Sequence, residues 1–195
     1  MAKNILYIMT GLPYSGKTTL VKNIIRKINC KVISTDEILR EKGFWKEKEP
    51  MQKDWEIAYV QAGEEVKRCL TGGENVIFDE SNLLYNQREN LRKIAEKLGI
   101  KSKVIYVKID KEEALKRWRK NSETKQKHQL SKEIIEKTCN IFEEPKLNEK
   151  AVIYTQNMDF EEWIKIFLRP GWESNPSERF CRPLSNRLTT GSARK

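Results

Sequence analysis

At 195 residues and 23.0 kDa the chain has the length of one ordinary domain, and its 38% hydrophobic and 34% charged residues suit one buried core under a solvated surface. The longest apolar runs fall far short of the ~18 residues of a membrane span. The four cysteines (Cys30, Cys69, Cys139, Cys181) are too dispersed for a disulfide framework or a zinc site, and no secretory leader pattern opens the sequence, so a reducing cytoplasm is the expected compartment. The net charge of +10 asks for explanation, because such an excess can mark a nucleic-acid partner.

In chain order, an apolar run at residues 4–9 leads into a glycine-containing turn and then a helix at 18–28, with Leu20, Val21, Ile24, Ile25 and Ile28 at helical spacing. A strand at 31–34, a helix from about 36 and a long helix over 55–70 follow. Gly72-Gly73 then precedes a buried-type strand at 75–78, and a helix at 87–98 closes on Gly99. A strand at 103–109, helices at 111–120 and 131–142, a strand at 151–154 and a helix at 159–168 complete the pattern. Strands alternating with helices predict an α/β fold, a parallel sheet covered on both faces.

The turn after the first strand reads Gly11-Leu-Pro-Tyr-Ser15-Gly16-Lys17-Thr18 and matches G-x-x-x-x-G-K-[ST] at every fixed position. Its place between a strand and a helix lets loop amides and the positive helix terminus converge on an anion. Gly11 and Gly16 permit turns that a Cβ would block, Ser15 and Thr19 flank the cradle, Lys17 reaches the β/γ-phosphates and Thr18 offers a hydroxyl to Mg²⁺. ATP and Mg²⁺ are the expected ligands. The strand at 75–78 ends in Asp79-Glu80, where an acid that organises the metal belongs; successive strand residues point to opposite faces, so both remain candidates.

There is no Asn-Lys-x-Asp guanine-reading motif and no glutamine-bearing Asp-x-x-Gly switch, and the chain is too short for an ATPase with a separate lid domain. Transfer of the γ-phosphoryl group remains, which needs a base and cations around the migrating charge. Asp36, just after the second strand, suits the base, and equally suits the N-cap of the helix it opens. Lys116-Arg117-Trp118-Arg119-Lys120 is a cationic helix end running into a polar flap at 121–129; it fits a phosphate-facing lid and also fits complementation of the helix dipole. His128, the only histidine, is expected on the flap surface.

Together, Gly11–Thr18, Ser34-Thr-Asp36-Glu, and Asp79-Glu-Ser-Asn82-Leu followed by Arg88 resemble the P-loop kinases that include phage polynucleotide 5′-kinase, zeta-type toxins, chloramphenicol phosphotransferase and archaeal seryl-tRNA kinase. The resemblance covers residues 4–154. It implies a P-loop NTPase fold, three layers α/β/α with a five-stranded parallel sheet and a small helical lid. It also implies Asp36 as the aspartate that activates the acceptor hydroxyl, and Arg117, with Arg119, as lid arginines on the ATP phosphates. Where polynucleotide kinases carry an arginine three residues after the base, this chain has Leu39, with Arg40 one position on; Ser81 replaces the usual threonine.

The expected function is an ATP-dependent phosphotransferase, with Asp36, Lys17 and Arg117 catalytic and the acceptor, a nucleic-acid 5′-hydroxyl or a small molecule, left open. The alternative is an ATP-binding regulatory module or a zeta-type toxin without polynucleotide kinase activity. Residues 1–168 form the expected domain. Residues 169–195, with three prolines and no apolar periodicity, read as a disordered basic tail. Before Arg169 there are 32 basic and 26 acidic residues, and 6 and 2 from Arg169 on, so nearly half of the excess charge lies in that tail.

Overall fold

Short runs with little polar interruption become the strands of the computed structural model, which describes residues 4–44, 50–124 and 129–167. The strands are β1 (Ile5–Thr10), β2 (Lys31–Ile33), β3 (Val76–Phe78), β4 (Lys101–Val107) and β5 (Val152–Tyr154), all parallel and ordered β2-β3-β1-β4-β5. β1 is central, pairing with β3 through Leu6↔Val76 to Ile8↔Phe78 and with β4 through Ile5↔Lys101 to Thr10↔Tyr106. The chain therefore reverses its direction of winding at β1, and the crevice beyond its carboxyl end is where such sheets bind ligands.

Strand alternation divides the core in two. Leu6, Ile8, Val76, Phe78 and Val104 face a layer built from α2 (Thr35–Glu41), α3 (Gln52–Thr71) and α4 (Tyr85–Lys97). In α3, Ala58, Ala62 and Val66 recur every fourth residue, are fully buried, and let this helix approach closely. Tyr7, Met9, Ile77, Ile105 and Val107 face the other layer, where α1 (Lys17–Ile24) and α7 (Phe160–Phe167) pack. There Trp163 stacks on Phe167 with centroids 4.9 Å apart and donates its indole N–H to the Ile153 carbonyl at 2.9 Å. The protein is thus a three-layer α/β/α P-loop fold with a five-stranded parallel sheet. No helix among the described residues is long and apolar enough to cross a membrane.

Three local expectations change. The helix after β2 begins one residue earlier than its sequence pattern suggested, with Ser34 at its N-cap, so Asp36 lies inside the first turn and does not cap it. α5 (Lys111–Thr124) continues into the stretch read as flap, where Asn121 is buried and donates to Gln129 Oε1 at 2.7 Å. An irregular stretch before β5 contains a short 3₁₀ turn, Leu147–Glu149, that has no periodic signal. α6 (Lys132–Ile141) is capped by the Ser131 hydroxyl accepting from the Ile134 amide. His128, Cys181 and the tail lie outside the described residues.

Candidate active site

The loop from Gly11 to Gly16 turns back on itself through three positive φ angles, at Gly11 (+143°), Tyr14 (+61°) and Gly16 (+98°). Gly11 is required twice over, by its φ and because a Cβ there would lie 2.6 Å from the Val107 carbonyl oxygen at the end of β4. Lys17, in the first turn of α1, curls over the loop and donates to the carbonyls of Gly11 and Leu12, each at 2.9 Å. The Ser15 hydroxyl is buried and has no hydrogen-bond partner among the described residues. Thr18 and Thr19 are exposed on the same first turn. Turned-in backbone, one lysine across it and an unsatisfied buried hydroxyl fit a polyphosphate.

Asp79 and Glu80 follow β3 and diverge. Asp79 hydrogen-bonds the Thr18 hydroxyl; burial raises its carboxyl above the usual range, opposed by Lys17 and by Thr18. Glu80 turns toward α2, accepting from the Thr35 hydroxyl and from the Ser81 amide at 2.7 Å. Burial and the neighbouring Asp36 push it up to about 7. Among the described residues no three acidic, histidine or cysteine side chains gather closely enough to cage a metal alone. One or two carboxylates beside a phosphate cradle suit Mg²⁺, which keeps waters and borrows phosphate oxygens, so these residues fit that ion.

Asp36 is half-exposed, with its carboxylate 4.0 Å from Arg40 one helical turn on. Leu39 is fully buried in the core, so the position three residues after Asp36 faces away from any acceptor. On the other side of the loop, Arg117 of α5 is held at three points: Nε donates to Glu113 at 2.6 Å, Nη1 to the Tyr14 carbonyl at 3.4 Å and Nη2 to Gln156 Oε1 at 2.7 Å. Arg119 is exposed, roughly 200° around the helix from Arg117.

The frame behind these groups went partly unread in sequence. Asn82, at φ +42°, donates to the Met9 carbonyl at 2.7 Å, while its own carbonyl accepts from Thr10 Oγ1 at 3.0 Å and Arg88 Nη1 at 2.9 Å. Arg88 also meets Glu149 in a two-pronged ion pair at 2.6 and 2.9 Å with both side chains fully buried. The motif held Asn82 and Arg88, but nothing marked Glu149, in a charged segment that reads as solvated, or Gln156, in an irregular turn after the last strand.

Residues 6–145 match the model of an AAA domain family, AAA_33. Among curated proteins none matches the chain. Among solved structures, an APS kinase from Mycobacterium tuberculosis, in complex with AMPPNP and APS, superposes with a TM-score of 0.63 at 16% identity, over 85% of this chain and 96% of that one. Kti12 of Chaetomium thermophilum, in complex with ADP-AlF3, gives 0.64 at 21% identity over 83% and 97%. A chain of a Pnkp1/Rnl/Hen1 RNA repair complex gives 0.62 at 22% identity over 72% of this chain and 44% of that one, so this chain spans under half its length. These likenesses are of fold, and the match over 6–145 runs from β1 through the lid helices. The chain belongs to the AAA domain family AAA_33 and has the fold of the P-loop kinases.

Proposed function

We propose that the protein is an ATP-dependent kinase that transfers the γ-phosphoryl group to an acceptor hydroxyl. The observation that carries this reading is the pairing of Asp36 on one side of the phosphate loop with Arg117 on the other, an arrangement that nucleotide binding alone does not need. Gly11, Ser15, Gly16, Lys17 and Thr18 hold the triphosphate, and Thr19 lies on the same helix turn. The acceptor oxygen attacks the γ-phosphorus, its proton passes to the Asp36 carboxylate, and the bond to the β-phosphate oxygen breaks to release ADP. Lys17 and Arg117 offset the charge that gathers on the transferred oxygens.

Mg²⁺ would be held through Thr18 and Asp79, with Glu80 behind them, and supplies Lewis-acid charge neutralisation. Asp79 is the better candidate because it already faces Thr18. Arg40, 4.0 Å from the Asp36 carboxylate, is a cation that an anionic acceptor approaching Asp36 would meet.

A screen with labelled ATP and RNA or DNA 5′-hydroxyl ends, nucleosides, amino-sugars and tRNA tests the proposal. With the acceptor in hand, Lys17→Ala should abolish turnover, and Asp36→Asn should keep ATP affinity within about twofold while transfer falls by 10²-fold or more. Full acceptor-dependent activity in Asp36→Asn would remove it as the base. ATP binding with no acceptor-dependent ADP release across the whole screen would favour the regulatory alternative.

A further inference from the structure

We infer that Gln156, two residues beyond the end of β5, is the positioning residue that sets the lid arginine against the phosphate loop. The inference rests on the reading of Arg117 as the cation that faces the γ-phosphate. A guanidinium only donates hydrogen bonds, so the amide oxygen of Gln156 must be the atom that meets Arg117 Nη2 at 2.7 Å. That fixes the amide's orientation and turns its NH₂ group the other way, onto the loop, where it lies 3.2 Å from the point a Cβ on Gly16 would occupy. One side chain thus touches the lid helix and the glycine next to Lys17 at once.

The neighbouring contacts explain why a third element is needed. Glu113 fixes the Nε edge of Arg117 from within α5, and so carries no information about where the loop lies. The bond from Nη1 to the Tyr14 carbonyl does reach the loop, but at 3.4 Å it is long. The short contact to Gln156 ties the guanidinium to the sheet instead: β5 pairs Tyr154 with Val107, whose carbonyl abuts Gly11. Phosphate loop, β5 turn and lid therefore share one reference frame through this amide, and a side chain no longer than glutamine spans the gap.

The test compares Gln156→Met, which keeps the length and removes the amide, with Arg117→Ala and the double variant. Titration of each full-length protein with the Mg²⁺ complexes of AMPPNP and of ADP is the readout, because only the first carries a γ-phosphate. Gln156→Met should weaken AMPPNP roughly tenfold, the low end for a charged hydrogen bond at an exposed site, and change ADP by less than about twofold. The double variant should bind no worse than Arg117→Ala, since a residue acting through Arg117 has nothing left to act on. If Arg117→Ala shifts the AMPPNP-to-ADP preference and Gln156→Met does not, the inference about Gln156 fails and Arg117 stands. Additive losses would equally overturn it, because Gln156 would then act on nucleotide directly. If Arg117→Ala leaves the preference unchanged, the lid-arginine reading falls and takes the positioning role with it. Gln156 is exposed, so the Met variant should unfold at the wild-type temperature.

Discussion

Burial makes a carboxylate harder to ionise and a second carboxylate nearby adds to that cost; Glu80 is buried and has Asp36 beside it. Its carboxyl rises from an ordinary value of 4.5 to about 7 in the folded chain, so between those pH values the native state binds more protons than the unfolded one. Stability of the nucleotide-free protein should therefore be fully supported by this group below about pH 4.5, and that support should be lost as pH rises to about 7. Asp79, raised by burial, adds in the same direction. Glu80→Gln should flatten the slope and raise the melting temperature at pH 8, which a pH series of thermal scans measures; an unchanged slope would count against the assignment. At Gly11, the 2.6 Å approach to the Val107 carbonyl and the φ of +143° leave an alanine no place, so Gly11→Ala should displace the loop and lose nucleotide binding by titration.

At the scale of elements, the segment from β3 to α4 is held by Asn82 and by the Arg88–Glu149 pair, neither of whose side chains reaches solvent. Removing one partner leaves a buried charge, so Arg88→Ala should cost on the order of 3–5 kcal/mol in denaturant unfolding, whereas Arg88→Met with Glu149→Leu should cost less than Arg88→Ala alone. A double variant as damaged as the single one would mean that the pair's geometry, and not only its charge balance, holds the segment. The contrast also shows what a sequence discloses. β1 and the phosphate loop were legible because an apolar run, two glycines and a lysine each have a local physical cause, and the helices were legible from their 3.6-residue spacing. The pairing of Arg88 with Glu149 depends on two chain segments 61 residues apart, and no local pattern encodes which acid meets which base. The reach of α5 to Thr124 has no signal in amphipathic spacing, because its last turn is stabilised by Asn121 meeting Gln129.

For the whole molecule, the described fold ends at Phe167, which packs on Tyr7 and accepts from Lys103 Nζ at 3.2 Å. A chain truncated after Leu168 should keep its melting temperature and its ATP affinity; loss of RNA or DNA binding in that truncation alone would assign the arginine-biased tail a polymer-binding role. Because ligand bound only by the native state stabilises it, saturating ATP at 100 times its dissociation constant should add about 2.7 kcal/mol, an increment that Lys17→Ala should abolish. Trp118 of α5 donates its indole N–H to the Leu130 carbonyl at 2.7 Å, and the Leu130 amide donates to the Tyr14 hydroxyl of the phosphate loop at 3.3 Å. The indole is thereby linked, through Leu130, to the Tyr14 side chain of the loop from Gly11 to Gly16. The protein accordingly carries its own optical gauge: a shift in Trp118 emission, isolated by replacing the other tryptophans with phenylalanine, would time the arrival of nucleotide in a stopped-flow cell without any dye.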